Sequence, residues 1–281
     1  MELRLRDRTI NCTGRTLVMG IVNVSWDSPV ARSIVAPTEA RDRALELVRA
    51  GASIIDVGAQ STRAFARELT AQEEIERVCP VIAALRTEGV VTSVDTWQPE
   101  VARAAAEAGV DVLNDVSGFT NAGMVAVASE FALPSIVMHM RGRPQHHRDV
   151  DQTYGDIATE VQAFLVDRAE ALEAAGVGQV WLDPGFGFAK SAVDNVRLLH
   201  GLPALVATGR LVLVSASRKG FLSELIGQGD RQDSDGLLEA TVAFNSLAAW
   251  AGVHVVRVHD VPEIADALKI VDAVRAAAGR A

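Results

Sequence analysis

One short stretch shows how this chain is built: Ala52-Ser53-Ile54-Ile55-Asp56-Val57-Gly58. Its apolar, β-branched run ends in a carboxylate and a glycine, which predicts a buried parallel strand that delivers a polar side chain at its carboxyl end. Seven more apolar runs end in the same way. They cover residues 16–22, 90–94, 110–113, 135–138, 179–182, 211–214 and 253–256. Eight such strands predict a closed barrel with polar residues at one end.

Amphipathic helical segments alternate with these strands, and each of the four clearest is followed at once by a glycine, the usual residue at a helix end. These segments cover residues 39–50, 71–88, 99–108 and 156–175. Thr38 is the candidate N-cap of the first. Strand–helix–strand connections of this length require a parallel sheet with the helices outside it. The doubly wound alternative needs a glycine-rich fingerprint after the first strand, which this sequence lacks.

The predicted architecture is therefore α/β, a (β/α)8 TIM barrel that forms a single domain over residues 1–281. Leu3, Leu5 and Ile10 alternate with charged residues before the first barrel strand. This pattern predicts a short N-terminal β-ribbon that plugs one end of the barrel.

Composition and charge exclude several classes of protein. A net charge of -9 argues against general binding of nucleic acid, since phosphate contacts need clustered Lys and Arg. No apolar run approaches the roughly 18 residues that span a bilayer, and the N-terminus lacks an apolar signal core. Cys12 and Cys79 are far apart and form no C-x-x-C pair. We expect a cytoplasmic protein without a membrane segment, whose anionic ligands meet a local basic pocket.

The polar residues at the strand ends form the candidate site, because active sites of TIM barrels lie at the carboxyl ends of the strands. The set comprises Asn23, Asp56, Asp95, Asn114, Asp183, Lys219, Arg257 and His259. A helix cap would explain Asp56 alone, but Lys, Arg and His do not cap helix N-termini. Carboxylates and an amide suit the edge of a flat, nitrogen-rich ring, whereas Arg63, Arg257 and His259 suit a phosphate-like anion.

The motifs that carry these residues resemble those of the dihydropteroate synthase family, in order, from about residue 16 to the C-terminus. They are Met19-Gly20-Ile21-Val22-Asn23, Ile55-Asp56-Val57-Gly58, Ser61-Thr62-Arg63, Ser93-Val94-Asp95-Thr96, Asn114-Asp115-Val116-Ser117-Gly118, Met138-His139-Met140-Arg141-Gly142, Leu182-Asp183-Pro184-Gly185, Ser217-Arg218-Lys219 and Arg257-Val258-His259. The resemblance implies a TIM barrel, commonly a homodimer, that joins 6-hydroxymethyl-7,8-dihydropterin diphosphate to p-aminobenzoate in folate synthesis. Pyrophosphate is released with the help of Mg2+.

The resemblance also implies a role for each matching residue. The pterin would be held by Asp95, Asn114, Met138, Asp183, Phe188, Lys219 and Arg218, the last of which would cover the ring. The diphosphate would be held by Asn23, Thr62, Arg63, Arg257 and His259, and Asn23 would also bind Mg2+. The catalytic residues would be Asp95, Asp183, Lys219 and Arg63. Asp27 and Asp56 belong to the loops after the first two strands, and Asp27 matches a residue that closes over the site.

The first two of these loops depart from the family pattern. The first reads Val24-Ser25-Trp26-Asp27-Ser28-Pro29-Val30-Ala31-Arg32, with Pro29 in place of the family's phenylalanine and without its paired glycines. The second has Ala64 where the family has proline. Both lost residues enclose p-aminobenzoate in the family, so we expect an acceptor slot of altered shape and poor use of p-aminobenzoate.

Two other functions remain open. One is a non-catalytic or regulatory pterin-binding paralogue. The other is the methyltetrahydrofolate-binding barrel of methyl transfer, which has no need of the anion site that Arg63, Arg257 and His259 predict. A P-loop is not predicted: residues 185–191 resemble one faintly, but Ala189 stands where a P-loop has glycine before its lysine.

Overall fold

The computed structural model describes residues 1–24, 35–62, 66–147, 149–229 and 236–279. Two short strands precede the barrel, β1 (Glu2–Arg4) and β2 (Thr9–Asn11). The barrel strands are β3 (Leu17–Asn23), β4 (Ile54–Gly58), β5 (Thr92–Asp95), β6 (Val112–Asp115), β7 (Ser135–Met138), β8 (Val180–Asp183), β9 (Leu211–Val214) and β10 (Val255–Val258). The helices are α1 (Pro37–Arg49), α2 (Ala71–Thr87), α3 (Pro99–Ala108), α4 (Ala122–Glu130), α5 (Ile157–Ala174), α6 (Ala192–Val206), α7 (Gly220–Leu225), α8 (Leu238–Trp250) and α9 (Val261–Ala277).

The eight strands β3 to β10 form a closed parallel barrel in sequence order, with β10 paired to both β9 and β3. Helices alternate with the strands, as βαβ connections require. The predicted TIM barrel is confirmed. None of the described helices is both long and apolar enough to cross a bilayer.

Alternation along the strands fills the barrel interior with one apolar layer and places polar side chains above it. The apolar layer includes Met19, Ile54, Val112, Ile136, Trp181 and Val255, all fully buried. Two residues further along β4, β6, β8 and β10, on the same face, the chain has Asp56, Asn114, Asp183 and Arg257. The strands therefore deliver the predicted site residues to one end of the barrel.

The N-terminal ribbon closes the opposite end. β1 and β2 pair antiparallel, with Leu3 opposite Ile10. Leu3 is fully buried and packs with Cys12 and the interior layer, and Leu5 and Ile10 cover them. The prediction of a ribbon that plugs the barrel is confirmed.

Several predicted boundaries were wrong, among them those of α1 and β10. Helix α1 begins at Pro37 rather than at residue 39, and Ala36 occupies the N-cap position in place of Thr38, without a side-chain cap. Proline is favourable in the first turn, because its fixed φ suits the helix and its missing N–H would have no partner there. Strand β10 begins and ends two residues later than predicted, and its end at Val258 includes Arg257 in the strand.

Candidate active site

Four neighbouring strands align their ends at the carboxyl mouth of the barrel. Asn23 on β3 is paired with Gly58 on β4, Gly58 with Asp95 on β5, and Asp95 with Asn114 on β6. Paired residues of adjacent strands point to the same face, so these positions form one row across the mouth. Gly58 keeps the row compact, because a Cβ atom there would lie 3.3 Å from the Asp95 Cβ.

Arg257 joins two of the predicted carboxylates. Its Nε donates to Asp56 Oδ2 at 2.6 Å, and its Nη2 donates to Asp95 Oδ2 at 2.7 Å. Asn114 Nδ2 also donates to Asp56 Oδ2, at 3.3 Å. Because an ionised carboxylate only accepts, this bond fixes the orientation of the Asn114 amide and leaves its oxygen as an acceptor for a ligand. The mouth is thus organised by charge-assisted hydrogen bonds before any ligand binds.

Burial shifts the protonation of the groups at the mouth. Desolvation raises the pKa of Asp95 to about 7, against the attraction of Arg257 and with the repulsion of Asp56. Desolvation also raises the pKa of Asp183, against the attraction of Lys219. The same effect lowers the pKa of Lys219 to about 7, although Asp183 opposes it. Side chains that exchange protons near neutral pH are typical of catalytic and binding sites.

Asp183, Lys219 and Phe188 form the other wall of the mouth. Asp183 Oδ1 accepts the Gly185 N–H at 2.7 Å, at the point where β8 turns into its loop. Lys219 Nζ donates to the Phe186 carbonyl at 2.5 Å and lies 4.2 Å from the centre of the Phe188 ring. Met138, paired with Asp183 across β7 and β8, is buried beside them. Acceptor, cation and flat apolar surface therefore lie together, as a polar ring requires.

Ser217, a residue that the sequence analysis left without a role, holds His259. Its hydroxyl accepts the His259 backbone N–H at 3.1 Å and lies 2.9 Å from His259 Nδ1. Which of the two atoms donates in the Ser217–Nδ1 contact depends on the tautomer of the imidazole, and in either tautomer the contact fixes the orientation of the ring.

Arg218, which the resemblance assigned to cover the pterin ring, pairs with Asp260 at the start of α9. Its Nε and Nη2 donate to the two carboxylate oxygens of Asp260 at 2.6 and 2.7 Å, and its side chain is 1% exposed. Its backbone has a φ of 53°, in the left-handed region. The pair with Asp260 ties this segment to the start of α9.

The anion end is described only in part. Asn23 ends β3 and Thr62 is the last described residue of the second loop, and both are half-buried. Arg257 Nη1 makes no hydrogen bond to a described residue, so this nitrogen can donate a hydrogen bond to an anion. Arg63 and Asp27 lie outside the described residues, as do Pro29 and Ala64 of the two altered loops.

Fold and site together define a TIM barrel whose strand ends bring carboxylates, an amide and cations to one mouth. The family model described as "Pterin binding enzyme" matches residues 19–259, and the chain belongs to this family. A dihydropteroate synthase from Synechocystis sp. is 41% identical over 265 residues, which cover 92% of this chain and 90% of that protein.

Solved structures of dihydropteroate synthases resemble this chain along its whole length. The Thermus thermophilus dihydropteroate synthase in complex with 4-aminobenzoate superposes with a TM-score of 0.86 at 38% identity, covering 98% of this chain and 100% of that one. The Burkholderia cenocepacia dihydropteroate synthase complexed with 7,8-dihydropteroate gives a TM-score of 0.88 at 37% identity, covering 100% and 98%.

Proposed function

We propose that this chain is a dihydropteroate synthase, a transferase that joins 6-hydroxymethyl-7,8-dihydropterin diphosphate to p-aminobenzoate or a related acceptor. The observation that carries the proposal is the convergence of Asp95, Asn114 and Asp183, which offer acceptors, with Lys219 at the carboxyl mouth of the barrel. The N–H groups of a pterin edge match these acceptors, and its carbonyl or ring nitrogens match the ammonium. Membership of the family and dihydropteroate synthase relatives support it.

The reaction is a displacement at the methylene carbon that carries the diphosphate. The acceptor's amine nitrogen forms a bond to this carbon, the C–O bond to the diphosphate breaks, and its electron pair leaves with pyrophosphate. The amine then loses one proton. As the C–O bond breaks, positive charge develops on the methylene carbon and negative charge on the leaving group. Arg257 and His259, at the end of β10, support the leaving group by hydrogen bonds that strengthen in the transition state.

Mg2+ fits the charge balance of this mouth. Asp56, Asp95 and Asp183 carry three negative charges when ionised, and Arg257 and Lys219 carry two positive ones. The described mouth is therefore short of positive charge for a diphosphate. The Asn23 carboxamide oxygen is a hard donor that suits Mg2+, which commonly takes one or two protein ligands together with phosphate oxygens and water. Bound there, Mg2+ would neutralise the departing diphosphate.

A homodimer is part of the proposal. Three helices that contact one another, α6, α7 and α8, expose large apolar side chains on the outside of the barrel. These are Val193, Val196, Leu225, Ile226, Leu247 and Trp250, each at least 40% exposed. A second copy of the chain would cover this apolar surface, and contiguous apolar surfaces of this kind are typical of subunit contacts.

The test is Asp183→Asn. The new amide can keep its oxygen on the Gly185 N–H, but it presents an NH2 group to the ligand where the carboxylate accepted. Loss of a hydrogen bond to a charged group should weaken binding of pteroic acid by about 1.5 to 3 kcal/mol, or roughly ten- to 150-fold. Isothermal titration calorimetry measures the binding, and a coupled assay of pyrophosphate release measures turnover.

The matched control is Asp111→Asn. Asp111 is also a buried carboxylate that accepts one backbone N–H, from Thr92 at 2.9 Å, but it lies before β6 at the opposite end of the barrel. We expect this variant to bind pteroic acid like the wild type. Equal affinity of Asp183→Asn and the wild type for pteroic acid would refute the assignment of Asp183 to the pterin site. Tight binding by the wild type without pyrophosphate release would instead identify a non-catalytic pterin-binding paralogue.

A further inference from the structure

The loop between β8 and α6 carries a lysine whose ammonium points into the protein. Lys190 is 6% exposed, and its Nζ donates to the carbonyls of His139 at 3.2 Å, Gly185 at 2.9 Å and Phe188 at 3.0 Å. Three carbonyls match the three donors of an ammonium. The lysine of the P-loop-like motif is therefore committed to the backbone of its own protein.

These carbonyls belong to two different loops. His139 follows β7, whereas Gly185 and Phe188 follow β8. The loops touch where Gly185 has a φ of 69°, and a Cβ atom on that residue would lie 2.0 Å from the His139 carbonyl oxygen. Carbonyl dipoles that converge in a dry interior repel one another unless a donor separates them. The Lys190 ammonium is the cation that joins the loops.

Both loops shape the slot for the polar ring. The Phe188 ring lies against the Lys219 ammonium at 4.2 Å and against the His147 ring at 4.9 Å. Met138, which precedes His139, places its Cγ 3.2 Å from the position of a Cβ on Gly185. Displacement of the loops would therefore move Met138 and Phe188 together and would uncover Lys219.

We propose that Lys190 is a positioning residue of the pterin slot: its ammonium locks the loops after β7 and β8 so that Met138 and Phe188 form the walls of the slot. Lys190 does not touch the ligand. The inference rests on the proposed function, since it concerns the same ring site. The same contacts would also serve a purely structural role, so the test must separate affinity for the pterin from stability of the fold.

The experiment compares Lys190→Met with Lys269→Met. Both variants replace a lysine with methionine, but the Lys269 side chain is 74% exposed and, among the described residues, pairs with Asp266 on the surface of α9. Misplaced slot walls should raise the KM for the pterin diphosphate and the Kd for pteroic acid at least about ten-fold in Lys190→Met, with kcat at saturation within about three-fold of the wild type. Lys269→Met should match the wild type in all three.

A double-mutant cycle with Phe188→Ala tests whether Lys190 affects pterin affinity through the position of Phe188. If Lys190 acts through Phe188, the combined variant should lose much less pterin affinity than the product of the two single losses, because the second substitution removes a wall that is already displaced. If the two single losses of pterin affinity multiply in the double variant, Lys190 does not act through Phe188.

The remaining outcomes also decide the question. Unchanged pterin affinity in Lys190→Met would overturn the proposal. Should Lys190→Met fail to fold, Lys190→Gln, whose amide can serve two of the three carbonyls, carries the test. If neither variant folds, Lys190 belongs to the fold as a whole and the proposal fails. A wild type that does not bind pteroic acid would refute the proposed function, whereas a binding wild type with a normal Lys190→Met variant would refute this inference alone.

Discussion

At the scale of single residues, Ser217 fixes the orientation of the His259 ring. Its hydroxyl lies 2.9 Å from Nδ1 and accepts the His259 backbone N–H at 3.1 Å. We expect Ser217→Ala to weaken pyrophosphate binding by about 0.5 to 1.5 kcal/mol, or roughly two- to twelve-fold, because the ring loses the contacts that fix its orientation. Competition of pyrophosphate against the pterin diphosphate measures the change.

Ser223→Ala is the control for this substitution. Ser223 on α7 is also buried, but its hydroxyl has no hydrogen-bond partner among the described residues. Its removal should leave pyrophosphate affinity unchanged. If both alanine variants behave alike, the hydroxyl of Ser217 does not orient His259.

At this scale the sequence predicted which polar residues lie at the strand ends, but not which of them pair with each other. Arg257, Asp56 and Asp95 could each be named because each follows an apolar run. Their contacts join residues 201 and 162 positions apart in the chain, and which donor meets which acceptor depends on strand register and rotamer. Sequence reasoning therefore assigned Arg257 to the anion alone, and it missed Lys190 because a buried lysine leaves no apolar pattern.

At the scale of elements, glycine marks the helix ends except at α4. Ala132 occupies the left-handed position there, with a φ of 48°, and it is exposed. A left-handed conformation costs an L-residue about 1 to 2 kcal/mol, and glycine's extra freedom in the unfolded chain offsets about 0.4 to 1 of this. Ala132→Gly should therefore raise the free energy of unfolding by about 0.5 to 1 kcal/mol. Urea denaturation followed by circular dichroism checks it.

The reverse substitution, Gly209→Ala, is the matched comparison. Gly209 follows α6 with a φ of 75°, and a Cβ atom there would meet nothing within 4 Å, so only backbone strain changes. With the same offset from the unfolded chain, we expect this variant to lose about 0.5 to 1 kcal/mol of unfolding free energy. If Ala132→Gly lowers the free energy of unfolding, or Gly209→Ala leaves it unchanged, backbone strain at these left-handed positions does not control the stability of the helix ends.

Elements were the most predictable level of the structure. Helix α3 was placed without error, and the predicted ends of α5 proved to be its caps, Asp156 and Ala175. The barrel strands were predicted to stop just before their polar residues, yet β5 and β8 include Asp95 and Asp183. Ladder hydrogen bonds involve only the backbone, so a polar side chain at the mouth does not end a strand.

At the scale of the whole molecule, the two substrates depend on different parts of the barrel. The strands carry the residues proposed to bind the pterin ring, whereas the acceptor slot depends on the loops after the first two barrel strands. The comparisons support the reaction. The sequence alterations fall at Pro29 and Ala64, outside the described residues. The prediction of an altered acceptor slot therefore rests on the sequence and needs its own experiment.

The expected outcome is weak use of p-aminobenzoate and weak inhibition by sulfonamides, which mimic it. Loss of about 100 Å2 of aromatic contact, at about 25 cal/mol per Å2, corresponds to about 2.5 kcal/mol, or nearly two powers of ten in affinity. Steady-state kinetics beside the Thermus thermophilus enzyme should show a KM for p-aminobenzoate higher by about that factor, with a similar KM for the pterin diphosphate. The double variant Pro29→Phe, Ala64→Pro should recover part of the difference. Equal KM values for p-aminobenzoate and equal sulfonamide inhibition in the two enzymes would refute the prediction of an altered acceptor slot.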